Sequence, residues 1–150
     1  MTGEIEKDES PSLYSAIRMG DIEAKELLIK FGANVNDNYE RNRTPLHIAI
    51  GCKQFEIAKL LINNGANVNA KTGNHGKDDL TPMHLAIFAN TPEFIELLAS
   101  NGASIDERES TEGHTPFHLA TLYGNKSVIQ ALYQFPLYKQ RIENNGKKPY

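Results

Sequence analysis

Thr44-Pro45-Leu46-His47 returns as Thr81-Pro82-Met83-His84 and again as Thr115-Pro116-Phe117-His118. A second box follows in phase: Gly32-Ala33-Asn34-Val35-Asn36, Gly65-Ala66-Asn67-Val68-Asn69 and Gly102-Ala103-Ser104-Ile105-Asp106. Thr44 to Gly65 spans 21 positions, as does Thr81 to Gly102. Two motifs locked together at a period near 33 describe stacked units that bury surface against their neighbours rather than around one centre.

Each unit reads as two short helices. In the second, Thr44 is an N-cap and Pro45 occupies the first helical position, where no backbone N–H is needed. The first helix runs from Leu46 to about Cys52. The second covers Phe55–Asn63, with Phe55, Ile57, Ala58, Leu60, Leu61 and Ile62 forming a broad apolar face. Gly65 supplies a left-handed C-cap, and Asn67-Val68-Asn69-Ala70 is expected to be extended before a turn. Neither helix is long enough to stand alone, so stacking must supply the stability. The first unit lacks Thr-Pro but keeps the frame: Leu13, Ala16 and Ile17 lie 33 positions before Leu46, Ala49 and Ile50.

These boxes, with Glu56-Ile57-Ala58-Lys59-Leu60-Leu61 between them, resemble the ankyrin repeat family. The resemblance covers roughly residues 11 to 150. It implies an all-α solenoid: antiparallel helix pairs stacked in an arc, with β-hairpin-like loops projecting on one side. The expected organisation is an acidic, flexible segment 1–10, then units of about 11–43, 44–80, 81–114 and 115–147, with the start of a fifth to 150. A chain that stops two residues into a helix leaves the fourth unit partly uncovered, which favours a piece of a larger protein.

Departures from the period mark loops and ends. Asn69 to Thr81 is 12 steps against 8 from Asn36 to Thr44, so Lys71-Thr72-Gly73-Asn74-His75-Gly76 holds a four-residue insertion that enlarges one loop tip. Asp106 to Thr115 is 9 steps, an insertion of one. Pro136 stands where glycine is expected, and Lys25 stands where the second unit has Ala58, a polar change that suits the solvent-facing end of a stack.

Composition narrows the function classes. The formal net charge is −3, so there is no global attraction to nucleic acid, and aromatic–basic interleaving is absent from the body of the chain. No apolar run reaches the roughly 18 residues a membrane span needs. Met1 to Glu9 carries Glu4, Glu6, Asp8 and Glu9 against Lys7, which is not a secretory leader. The lone Cys52 cannot form an internal disulfide, and a reducing compartment, cytosol or nucleus, is expected. Cys52 has no neighbouring histidine in sequence to activate it, and no Gly-rich phosphate loop, nucleophile elbow or zinc motif occurs. The chain is therefore read as a monomeric, non-catalytic module without cofactor.

Function is then expected on the surface. The ends of the four first helices are Arg18-Met19, Gly51-Cys52, Phe88-Ala89 and Leu122-Tyr123. Arg18, Met19, Cys52, Phe88, Leu122 and Tyr123 are the candidate partner-binding residues there, with the large apolar groups as anchors. Loop tips form a second candidate surface through Arg41, Arg43, Lys77, Leu80 and His114, of mixed charge with Glu40, Asp78, Thr111 and Glu112. The leading expectation is a protein partner held in the concave groove and by the loop tips. A targeting or regulatory segment of a larger enzyme or effector, and a small ankyrin-type inhibitor of a transcription factor, are the alternatives. The resemblance also makes Asn36 and Asn69, each eight residues after a leucine (Leu28, Leu61), similar to targets of asparagine β-hydroxylation.

His47, His84 and His118 invite a metal reading that their spacing refuses. Equivalent residues of stacked helices sit about 10 Å apart, whereas zinc ligands converge within about 2 Å of one ion. The resemblance implies instead that each histidine bonds its own box threonine and nearby loop backbone, while His75 and His114 are loop residues. Elemental analysis of chain purified without chelator should show no stoichiometric zinc; one tightly held ion per chain would refute this.

Overall fold

The computed structural model describes residues 12–73, 79–123 and 125–134. Eight α-helices occur among them: α1 Leu13–Met19, α2 Ile22–Ile29, α3 Pro45–Gly51, α4 Phe55–Asn63, α5 Pro82–Phe88, α6 Pro92–Ser100, α7 Pro116–Tyr123 and α8 Lys126–Tyr133. No strand occurs among the described residues. The acidic segment 1–10, the tip of the four-residue insertion with His75, Lys77 and Asp78, Pro136 and the expected fifth unit lie outside them.

Capping explains the helix starts. Thr44 and Thr81 each accept the backbone N–H of the histidine three residues on, and each histidine returns the bond through its ring. Pro45 and Pro82 then occupy the first turn, where a missing N–H costs nothing. Ser12 and Asn125 do the same work for α1 and α8 by accepting from Ser15 N–H (3.1 Å) and Val128 N–H (2.8 Å). At the other end, Gly65 and Gly102 adopt left-handed backbone with φ of 94° and 88°. That conformation strains any side chain with a Cβ.

The first helices form one row, α1 on α3 on α5 on α7. In the second layer α2 packs on α4 and α6 on α8, and the Phe55 and Phe94 rings bridge α4 to α6 edge-on at 5.3 Å. The core is shared between units: Ile17, Leu46, Ile50, Leu61, Met83, Ile95, Leu98 and Leu132 are fully buried. Lys25 is exposed where its counterpart Ala58 is buried, as an end unit requires.

Hydrogen bonds join consecutive units along the loops. His47 accepts the Thr44 N–H at Nδ1 (3.0 Å), so its proton sits on Nε2 and points at the Ala70 and Leu80 carbonyls, each 3.1 Å away. His84 repeats this with Thr81 and with Glu107 O. His118 keeps the capping bond to Thr115, but its ring is exposed. The Asn36 amide donates to Gly65 O (3.1 Å) and accepts from Asn67 N–H (2.7 Å). Asn69 does the same with Gly102 O (3.3 Å) and Ser104 N–H (2.7 Å). The loops are hairpin-like: Tyr39 N–H donates to Arg43 O, Thr72 N–H to Leu80 O and Glu109 N–H to His114 O. One sequence expectation fails here. Asn67 to Ala70 is not extended but a turn closed by Ala70 N–H on Asn67 O (3.3 Å). The Asn67 side chain drives it by accepting the Asn69 N–H at 2.9 Å.

Two predictions follow from shared burial and from the buried rings. Leu61→Ala should cost about 2–5 kcal/mol in a urea titration; a loss under about 1 kcal/mol would show that the unit interface does not depend on it. Burial pushes His47 from 6.5 down to about 4, against the opposing pull of the Ala70 and Leu80 carbonyls, and burial lowers His84 as well. Below the ordinary imidazole value the unfolded chain takes up a proton that folded His47 refuses. Stability from this group is therefore complete above pH 6.5 and is lost as pH falls towards about 4, by up to about 3 kcal/mol. Urea midpoints measured across that window should fall with pH, and less steeply in His47→Gln; equal slopes in the two proteins would contradict the assignment.

Candidate functional site

Capping fixes the phase of each first helix, and phase fixes which residues share a row. Arg18, Gly51, Phe88 and Leu122 are equivalent, as are Met19, Cys52, Ala89 and Tyr123. Both rows lie at the ends of α1, α3, α5 and α7. The large apolar members stand in solvent: Met19 is 72% exposed, Phe88 44%, Leu122 61% and Tyr123 63%. Their neighbours Ile87 and Leu119 are buried in the core, so Phe88, Leu122 and Tyr123 are not part of the buried core. Phe88 and Tyr123 meet edge-to-face with centroids 5.7 Å apart. Such a pair gives each ring a fixed orientation across the α5–α7 boundary.

Beside this apolar patch, the row opens into a cavity of about 460 Å³ between α1, α3, α5 and two loops. It collects several sequence-predicted residues that lie far apart in the chain: Arg18, Arg41, Arg43, Cys52 and Leu80, joined by Tyr14, Gly51, Ile48 and Leu85. Arg18 lies over the Tyr14 ring at 5.6 Å, a contact that restrains the guanidinium. Arg43 Nε donates to Glu40 O (3.4 Å). Arg41 holds left-handed backbone, φ 61°, where the Gly73 N–H pins its carbonyl at 2.8 Å. His47 reaches the same cavity as a neutral ring already committed to backbone partners. Cys52 is an exposed free thiol at the end of α3.

His114 lies elsewhere. Its loop is organised by Glu109, a buried carboxylate that accepts the N–H groups of Thr111 (2.7 Å), Glu112 (3.0 Å) and His114 (2.8 Å), with the His114 ring 3.3 Å away. Burial alone would raise this carboxyl; the N–H bonds and the nearby imidazole outweigh it and hold it below the usual range. Asn36 and Asn69 are at the unit junctions described above, with both amide atoms engaged. Lys77 lies outside the described residues. The sequence motifs alone do not single out Glu109, Tyr14 or Leu85, nor the space beside Gly51 at its helix end, nor the exposed Ile29 and Phe31 at the end of α2. A Glu three to five residues ahead of Gly-His in a polar run was the available signal for Glu109.

Among the described residues no group of histidine, cysteine and carboxylate side chains is placed to hold a metal, and no helix is long and apolar enough to cross a membrane. The family described as ankyrin repeats (3 copies) matches residues 2–72 and 70–145. Human protein phosphatase 1 regulatory subunit 27 is 39% identical over 59 residues, 39% of this chain and 38% of that protein; the mouse protein of the same name matches equally. An ADP-ribosylation factor GTPase-activating protein of Arabidopsis thaliana is 41% identical over 54 residues, 36% of this chain and 7% of that one. The chain thus matches well under half the length of these relatives. Ankyrin repeats indicate a protein–protein interaction module, and this chain belongs to the ankyrin repeat family.

Proposed function

We propose that the chain is a non-catalytic recognition module that binds one protein partner along the groove formed by the ends of its first helices, assisted by the loop tips. The observation that carries this reading is the Phe88–Tyr123 pair with Leu122 beside it: large apolar groups, exposed in register on adjacent units, that the core does not use. Exposed apolar surface of this kind risks association unless a partner covers it. Aromatic anchors held in one orientation lose little entropy on binding. Relatives whose names are those of a phosphatase regulatory subunit and a GTPase-activating protein support a role in which the repeats bring a partner to, or hold it near, another activity. The matched segment is a small share of the plant relative's length, which supports the second reading, a regulatory segment within a larger protein. The same surface serves both.

The test is a comparison of variants. Phe88→Ala and Tyr123→Ala should each leave the melting temperature nearly unchanged and weaken capture of a cross-linkable partner by about 1–3 kcal/mol. Glu93→Ala on α6 should have no effect, and Arg41 and Arg43 substitutions should act in a salt-sensitive way. If Phe88→Ala instead lowers stability by several kcal/mol and spares binding, Phe88 is core and the reading fails.

A further inference from the structure

Gly51 breaks the row. Its counterparts are Arg18, Phe88 and Leu122, each with a long side chain, and at Gly51 there is none. A Cβ built there meets no atom within 4 Å, so no neighbour has moved in to fill the place. Gly51 lies on the wall of the 460 Å³ cavity, with Arg18 and Leu85 also lining it, so a side chain at 51 would project into open space there. The sequence holds arginine at 18, 41, 43, 108 and 141, and the first three line this space together with Tyr14, Leu80 and Leu85. No carboxylate is among its lining residues, and among the described residues none of these arginines is in an ion pair. Three guanidinium groups with solvent-accessible donors and no carboxylate partner therefore converge on one partly apolar cavity in a chain of net charge −3.

We infer that this cavity is the docking site for an acidic segment of the protein partner, whose carboxylates meet Arg18, Arg41 and Arg43 while one apolar or aromatic side chain fills the space over Gly51. The inference rests on the proposed function, since it places part of the partner on the same face. Guanidinium favours carboxylate because its planar fork gives two parallel N–H···O bonds. The overall negative charge of the chain does not prevent this, because beyond about 8 Å it is screened at physiological salt, and selection is made at contact distance. The apolar walls argue for a peptide over a nucleic acid strand: a phosphodiester backbone would leave Tyr14, Leu80 and Leu85 unused, and no interleaved aromatic–basic track continues from the cavity.

The probe is a fluorescein-labelled peptide, Gly-Asp-Glu-Leu-Asp-Glu-Phe-Gly, with its Asn/Gln counterpart as control, read by anisotropy on the full chain at physiological salt. Cys52 is the only cysteine and lines the cavity, so its rate of alkylation by iodoacetamide reports occupancy of this site and no other. The acidic peptide should bind about tenfold or more tighter than the amide control, a difference of one good charged contact, and should slow Cys52 alkylation severalfold. Arg18→Gln and Arg43→Gln should each weaken it about tenfold on the same reasoning. Gly51→Leu should abolish both binding and protection without lowering the melting temperature, since leucine has open space to enter and better helix propensity than glycine. Equal binding of the amide peptide, unchanged Cys52 reactivity, retained binding in Gly51→Leu, or equal protection by an oligothymidylate would each overturn the inference. None of those results bears on the Phe88 and Tyr123 variants, whose effect on partner capture decides the broader reading by itself.

Discussion

A helix of seven to nine residues cannot hold itself in water, because nucleation costs more than so few hydrogen bonds return. Everything else in this molecule answers that constraint. Each helix pair is completed by its neighbour: Leu46, Met83 and Leu61 are fully buried in a core that the stacked helices supply jointly. The polar links follow the same rule. The amides of Asn36 and Asn69 tie each junction to the next at its outer edge, and His47 and His84 tie each first helix to the following loop. The buried rings of His47 and His84 stabilise only when their donors and acceptors are met, which accounts for the threonine and the histidine recurring together.

A stack organised this way uses one side of each first helix for packing and one end for capping. The opposite end, at Arg18-Met19, Gly51-Cys52, Phe88-Ala89 and Leu122-Tyr123, lies outside the buried core. Its chemistry can vary from unit to unit without touching the core. The first two units present arginines and a gap, and the last two present leucine and aromatic rings. On the proposed reading, one face offers charge recognition at one end and apolar burial at the other, joined through Leu85 and Phe88, three residues apart on α5. A partner that reads both must place an acidic stretch and an apolar stretch in a fixed order, which is a source of specificity that neither patch has alone.

Most of the fold was legible in the sequence because its motifs repeat in phase. The phase of Thr-Pro-x-His gave the helix starts to within a residue, and α4 falls on the expected Phe55–Asn63. The exposure of Phe88, Leu122 and Tyr123 followed from equivalence once Ile87 and Leu119 were assigned to the core. What equivalence could not show was space and long-range bonding. Gly51 reads as a weak helix residue, and only packing shows that nothing fills its place. Sequence marks Asn36 and Asn69 only by their place in the boxes, whereas their bonds reach about one repeat ahead to Gly65 and Gly102. Asn67–Ala70 is expected to be extended, and the local bond to the Asn67 side chain closes it into a turn instead. Glu109 carries no sequence signature of burial, which depends on how its own loop, up to His114, folds over it.

The central claim is that the ends of the first helices, and not the second-helix layer, form the recognition face. Methyl-labelled NMR spectra recorded as the captured partner is added test it most directly. The account predicts shifts concentrated at Ile48, Leu80, Leu85 and Leu122, with Leu27, Leu60 and Leu97 of α2, α4 and α6 unmoved. Shifts centred on Ile29, Leu60 and Leu97 instead would place the partner on the second-helix layer and contradict the account.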